Sequence, residues 1–191
     1  GTSGQHPDAA LRSIAQAVVR ARPGDTVIVG PGSYTPPFPS AAAVADIIDI
    51  HASVRSPLTL LADTTGALSG DPAGAVIIDA QGATAGFHLQ QSRFIIIDGF
   101  TFIHAHGTNA AGVDIRSDSH FITIRNTDIH HNHHGIRVSR SDTIDIFNNL
   151  IHQNDQHGIT VGGNPDGSHA VHLINNTIAL NSGDGIAIGE G

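Results

Sequence analysis

The sequence of 191 residues has no cysteine, methionine, tryptophan or lysine, a single tyrosine, and aromatics at only 4%. Without cysteine there is no disulfide framework, thiolate nucleophile or thiolate metal site. Without lysine, all nine positive charges are arginine, so no lysine serves as general base. The missing tryptophan and lone tyrosine remove the aromatic platforms that commonly hold sugars. No apolar run approaches ~20 residues, so no helix is expected to span a membrane. The formal charge of -8 argues against a nucleic-acid backbone as partner, because the phosphates would be repelled. No signal peptide is visible. A start at Gly1 fits a processed chain, and the expected location is secreted or periplasmic.

What remains is rich in Ile, Val, Gly and Asn, a composition suited to many short strands. Gly followed by an alternating apolar pair recurs at Gly86-Phe87-His88-Leu89, Gly112-Val113-Asp114-Ile115, Gly135-Ile136-Arg137-Val138, Gly158-Ile159-Thr160-Val161 and Gly185-Ile186-Ala187-Ile188, in steps of 26, 23, 23 and 27 residues. In phase with it run Ile95/Ile97, Ile122/Ile124, Ile144/Ile146 and Val171/Leu173. Two Asn columns, Asn126/Asn148/Asn175 and Asn132/Asn154/Asn181, share steps of 22 and 27. Self-similarity at this period marks a solenoid. The Leu pattern and long return segment of leucine-rich repeats are missing, and each repeat offers three short alternating strands instead. Stacked coils pair each strand with its counterpart ~4.8 Å away and bury one face. Asn tolerates a left-handed corner, and its amide can bond the equivalent Asn one coil up. Ile124, Ile136, Ile146, Ile159 and Ile186 are expected to point inward and be buried.

Before the repeats, His6-Pro7-Asp8 reads as a helix start. Leu11, Ile14, Ala15 and Val18 fall on one face, and Pro23-Gly24 ends the segment, predicting an amphipathic capping helix over about 8–22. It would cover the open strand edges of the first coil. Strand-like runs at Ala45–Ile50, Leu58–Leu61 and Val76–Ile78 fill the early coils, and Thr35–Ala43 reads as a loop. The expected fold class is all-β, one domain over 1–191: a parallel β-helix of roughly six or seven three-strand turns with an N-terminal helical cap. The chain stops straight after Gly185–Ile188, which predicts a missing C-terminal part or end-to-end self-association.

The phrase Ala15-Gln16-Ala17-Val18, Arg22-Pro23-Gly24-Asp25-Thr26-Val27-Ile28-Val29 and Pro31-Gly32-Ser33-Tyr34-Thr35 resembles the N-terminal entry of pectate-lyase-like right-handed β-helix proteins. That group includes alginate lyases and chondroitinase B-like lyases. Ile174-Asn175-Asn176-Thr177-Ile178 with Asn181 and Gly185-Ile186 resembles the generic parallel β-helix repeat of lyases, galacturonases, uronate epimerases and periplasmic β-helix proteins. The resemblance implies a substrate groove along one sheet and the loops entering it. One scaffold carries several functions, so the chemistry has to come from the site.

On the Gly-Ile column the outward positions are His88, Asp114, Arg137, Thr160 and Ala187. The entering loops hold His104, His106, the run His130-His131-Asn132-His133-His134, and His152 with His157. A lyase on an acidic polysaccharide must neutralise the uronate carboxylate and remove the C5 proton. Arg137 as carboxylate partner with His134 or His157 as base satisfies that chemistry, and Asp114, His133, Arg137 and Thr160 would line the substrate. A glycosidase needs two carboxylates ~5 to 9.5 Å apart, and Asp114 has no acidic neighbour in the next two coils. Arg137 beside Asp114 equally fits a surface ion pair worth under ~1 kcal/mol, and Arg116, Arg125 and Arg140 read as solvated. The position before the Gly-Ile strand runs Ala111, His134, His157, Asp184. Two imidazoles and a carboxylate in one column suit a divalent metal, Zn²⁺ or Ca²⁺, completed by His133 or water; a plain stack of surface histidines is the competing reading. Two functions stay open: an enzyme of the lyase or C5-epimerase kind on acidic polysaccharide, and a non-catalytic β-helix module that binds carbohydrate or acts as a spacer.

Overall fold

The computed structural model describes residues 10–38, 41–162 and 167–189. One short helix, α1 (Ile14–Arg20), precedes the strands. Ser13 sits in extended backbone and its hydroxyl accepts from the Gln16 N–H at 3.2 Å, an N-cap that fixes where the helix begins. The helix is therefore shorter than the predicted 8–22. Residues 10–13 are not helical, and the predicted start at His6-Pro7-Asp8 lies outside the described residues. Ile14 and Val18 are buried, and α1 packs against the first strands, as a cap should.

Three parallel sheets of six strands follow. Sheet A contains β1 (Thr26–Val29), β4 (Leu58–Ala62), β7 (Arg93–Asp98), β10 (His120–Arg125), β13 (Asp142–Phe147) and β16 (His169–Ile174). Sheet B contains β2 (Gly32–Tyr34), β5 (Val76–Asp79), β8 (Thr101–Ile103), β11 (Asp128–His130), β14 (Leu150–His152) and β17 (Thr177–Ala179). Sheet C contains β3 (Ala43–Ile48), β6 (Ala85–Gln90), β9 (Ala111–Arg116), β12 (His134–Ser139), β15 (Ile159–Gly162) and β18 (Ile186–Ile188). Every strand pairs with the one three places on, so the described residues make six coils of a β-helix. The Gly-Ile phrase is sheet C in the register drawn from sequence, with Ile136 opposite Val113 and Ile159.

Ile124, Ile136, Ile146 and Ile159 are fully buried, packed from both neighbouring coils. Ile186 departs from expectation at 43% exposed. It lies on β18, the outermost strand of sheet C, and is packed from one side only. Phe87 meets Phe100 and Phe102 edge-on at 5.4 and 5.0 Å between centroids, filling the core of the early coils. At the corner from sheet A to B, Asn126, Asn148 and Asn175 align in left-handed backbone at φ 54, 56 and 52°. At the corner from sheet B to C, Asn132 and Asn154 are buried. There, backbone N–H groups donate to the Oδ1 of the next coil: Ala105 to Asn132, Asn132 to Asn154 and Asn154 to Asn181, at 3.0, 3.1 and 3.0 Å. Gly158 immediately precedes β15, where a Cβ would come within 2.7 Å of Gly185 O and of Ile178 Cγ2. That close approach is why the column is glycine.

Candidate functional site

The outer face of sheet C carries one column from coil to coil: Asp46, His88, Asp114, Arg137, Thr160, Ala187. Strand alternation turns these side chains outward, yet beyond the exposed Asp46 most of the column is withdrawn from solvent. Asp114 is 3% exposed, His88 7% and Thr160 8%. Asp114 is held between two guanidinium groups, with Arg116 Nε 3.3 Å from Oδ2 and Arg137 Nη1 3.6 Å from Oδ1. Desolvation raises its pKa, against the opposing pull of Arg116, Arg137 and His88. Arg116 also donates from Nε to His88 Nε2 at 2.7 Å, and His88 Nδ1 lies 2.9 Å from Asp46 Oδ1. Since Arg only donates, His88 carries its proton on Nδ1, toward Asp46. Arg137 Nη1 donates to the Asn109 carbonyl at 3.3 Å, tying the loop between β8 and β9 to this face.

Three buried side-chain atoms on this face have no hydrogen-bond partner: Asp114 Oδ1, His134 Nδ1 and Thr160 Oγ1. All lie on three consecutive strands, β9, β12 and β15, around Arg137. Buried polar groups are normally hydrogen-bonded, so each of these atoms calls for a partner such as water, an ion or a ligand group.

Of the expected residues, Arg137, Asp114, Thr160 and His134 come together here. The His134 and His157 rings stack at 5.5 Å with 10° between planes, and His133 meets His134 edge-on at 4.7 Å. Burial, then His133, His157 and Arg137, lowers the His134 pKa from 6.5 to about 4, so the ring is neutral at neutral pH. Asp184 differs from expectation. Its carboxylate is exposed and 3.7 Å from His157 Nδ1, and that nitrogen already accepts from the Asp184 backbone N–H at 2.9 Å. The Asp184 carboxylate lies in solvent and the His157 Nδ1 lone pair is already taken, so His134, His157 and Asp184 do not bring one ligand atom each to a common metal position. Among the described residues, Asp128, His130 and His152 on sheet B do, with one ligand atom from each within 4.8 Å of the others.

The histidine run is also split differently from the sequence reading. His130 and His152 end strands of sheet B, His131 turns the corner, and His134 begins a strand of sheet C. Burial lowers the His130 pKa; Asp128 opposes this, and His152, His131 and His104 add to it. Of the arginines read as solvated, Arg116 and Arg125 are half-buried and engaged: Arg116 bonds His88, and Arg125 Nε donates to Asp98 at 2.8 Å. Arg140 is exposed, as read, and its Nη2 donates to Ser117 Oγ at 3.3 Å. Sequence reading missed Asp46 and Arg116 at the site. The register was the available signal, since Asp46 heads the outward column and Arg116 is the next outward residue after Asp114.

Two concavities of about 440 and 630 Å³ lie elsewhere, one at the turns between sheets C and A and one between α1 and the first coil. The sheet C cluster lies on an open face, outside both of these concavities. No helix among the described residues is long and apolar enough to cross a membrane.

The structure superposes on the crystal structure of pectate lyase Pel9A with a TM-score of 0.71 at 18% identity, over 93% of this chain and 44% of that one. The chain thus spans less than half the length of that protein, and the likeness is one of fold. No curated protein matches the sequence. The family described as the right handed beta helix region matches residues 76–191. This covers more than half of the chain and places it in that family.

Proposed function

We propose that the protein is a secreted or periplasmic β-helix that binds an acidic polysaccharide along the outer face of sheet C and acts on it by C5-proton abstraction, as a lyase or epimerase. The supporting observation is the set of unpaired buried atoms, Asp114 Oδ1, His134 Nδ1 and Thr160 Oγ1, gathered around Arg137. In this reading Arg137 moves from the Asn109 carbonyl to a uronate carboxylate, the bidentate partner for which a guanidinium is suited. Thr160 and Asp114 then bond sugar hydroxyls. His134 provides a neutral imidazole for the C5 proton, and His157, the less buried of the two, serves through Nδ1 once that atom gives up the Asp184 N–H.

A second reading, a non-catalytic glycan-binding module, is favoured by one feature. A pKa of about 4 makes His134 a weak base, far from the match to operating pH that general bases need. One experiment separates the two. The chain is incubated with polygalacturonate, alginate and chondroitin, following ultraviolet absorbance of the unsaturated product and C5 configuration by NMR, with glycan binding measured in parallel for wild type and Arg137→Ala. Product lost in Arg137→Ala and His157→Ala supports the enzyme. Binding lost in Arg137→Ala without product supports the module. Absence of binding to all three glycans refutes both.

A further inference from the structure

A second polar cluster stands on the outer face of sheet B, independent of the sheet C reading. His130 ends β11 and His152 ends β14, and the parallel register sets them side by side. Their rings are 4.9 Å apart at 23°. Asp128, two residues before His130 and on the same face, reaches across to place Oδ1 3.0 Å from His152 Nε2. The other nitrogen of His152, Nδ1, is 2.9 Å from Gln153 Oε1.

Both nitrogens of His152 therefore face oxygen, and a neutral imidazole has only one N–H. With that proton on Nδ1 and donated to Gln153, the Nε2 lone pair and the Asp128 carboxylate confront each other with nothing positive between them. A proton would relieve that one pair. A metal ion relieves it and also engages His130, whose own Nδ1 is 2.6 Å from His131 Nδ1. A proton on His130 Nδ1, shared with His131, leaves Nε2 as a free lone pair. Gln153 and His131 then occupy the places of the outer partners that fix the tautomer and ring orientation of metal-bound histidines.

We propose that Asp128, His130 and His152 form a binding site for a borderline divalent cation of the Zn²⁺ type, clamping the coils of β11 and β14. Two imidazoles and one carboxylate make a three-ligand set with a fourth position open to water. Tetrahedral bonds of ~2.0–2.1 Å separate ligand atoms by ~3.4 Å, a small opening from the present 3.0 Å between Nε2 and Oδ1. Ca²⁺ is the wrong ion, because it takes six to eight oxygens. Each ligand is on a strand paired on both sides, so the site is held by rigid elements.

The test is calorimetric titration of the intact chain with Zn²⁺, and separately with Ca²⁺, in wild type, Asp128→Asn, His152→Ala and a His134→Ala/His157→Ala double variant. Far-UV circular dichroism checks that each is folded. The expected result is one saturable Zn²⁺ equivalent and no Ca²⁺ binding. Affinity should fall ~100-fold or more in Asp128→Asn and His152→Ala and be unchanged in the double variant. Should either single substitution fail to fold, His130→Gln provides the same reading. Absence of a one-equivalent site, binding unchanged in Asp128→Asn, or binding lost with His134 and His157 would each overturn the assignment.

Discussion

Two columns of buried polar side chains run beside each other up the solenoid, and they are treated in opposite ways. At the corner from sheet B to C, Asn154 Oδ1 accepts from the Asn132 backbone at 3.1 Å. Its Nδ2 donates to Ile129 O at 3.2 Å and to Asn181 Oδ1 at 2.9 Å. On the adjacent outer face of sheet C, Asp114, His134 and Thr160 are buried nearly as deeply, and each retains an atom without a hydrogen bond, though Asp114 Oδ1 is 3.6 Å from Arg137 Nη1. A satisfied network rigidifies the fold, while unpaired groups at low dielectric cost stability. The first column is structural. The second keeps atoms without a hydrogen bond, the feature on which the proposed glycan site rests.

The sharpest way to break this comparison is Asn154→Ala. It takes the Oδ1 acceptor from the buried Asn132 N–H and the Nδ2 donor from Ile129 O and Asn181 Oδ1, so a loss of about 2–4 kcal/mol is expected by urea unfolding. A loss under ~1 kcal/mol would mean the ladder is not what orders the corner.

His134 gives a smaller effect with a defined sign. Its folded pKa of about 4 lies below the unfolded 6.5, so the unfolded chain binds more protons between these values. Stability is complete above pH 6.5 and falls as pH drops toward 4, by up to about 2 kcal/mol, discounted because the ring is near the surface. The neighbours that oppose its charging are His133, His157 and Arg137. Asp63 acts in a separate window. Burial alone would raise its pKa, but hydrogen bonds from Ser69, Thr65 and Leu68 outweigh this and hold it at about 2, so its contribution is lost only below about pH 3.8. Urea midpoints at pH 7 and 4.5 should therefore differ more in wild type than in His134→Gln. An equal difference would show that His134 is not buried neutral.

Smallest of all is the expected change in Thr160→Val. The buried hydroxyl makes no hydrogen bond in the free protein, so its removal should leave stability unchanged or raise it by up to ~1 kcal/mol while affinity for the acidic glycan falls. A marked destabilisation would show that Oγ1 has a structural partner after all.

Periodic features were legible in the sequence and aperiodic ones were not. The Gly-Ile phrase and both Asn columns predicted strands, register and corners because each repeats once per coil. The cap was read too long because Leu11 continues the apolar spacing of Ile14 and Val18, whereas the chain starts its helix where Ser13 can cap it. The burial of Asp114 and Arg137 depends on Arg116 and on the Asn109 carbonyl from a loop of irregular length, and no period announces that. The Asp128–His130–His152 cluster was within reach. His130 and His152 are 22 residues apart, the same step that separates Asn126 from Asn148 and Asn132 from Asn154, so they had to be neighbours on one strand column rather than residues of a loop.

The corner ladder also has a direction. From Ala105 to Asn154 each backbone N–H points to the side-chain oxygen of the following coil, and never the reverse. The amides thus form an oriented chain whose dipoles add along the axis, and the coils are not interchangeable blocks. A coil grafted between those of Asn132 and Asn154 would have to bring an acceptor for the coil below and a donor for the coil above. The asparagine amide offers both, Oδ1 accepting and Nδ2 donating, and reaches from one coil to the next, which makes this column a rule of grammar for lengthening the solenoid.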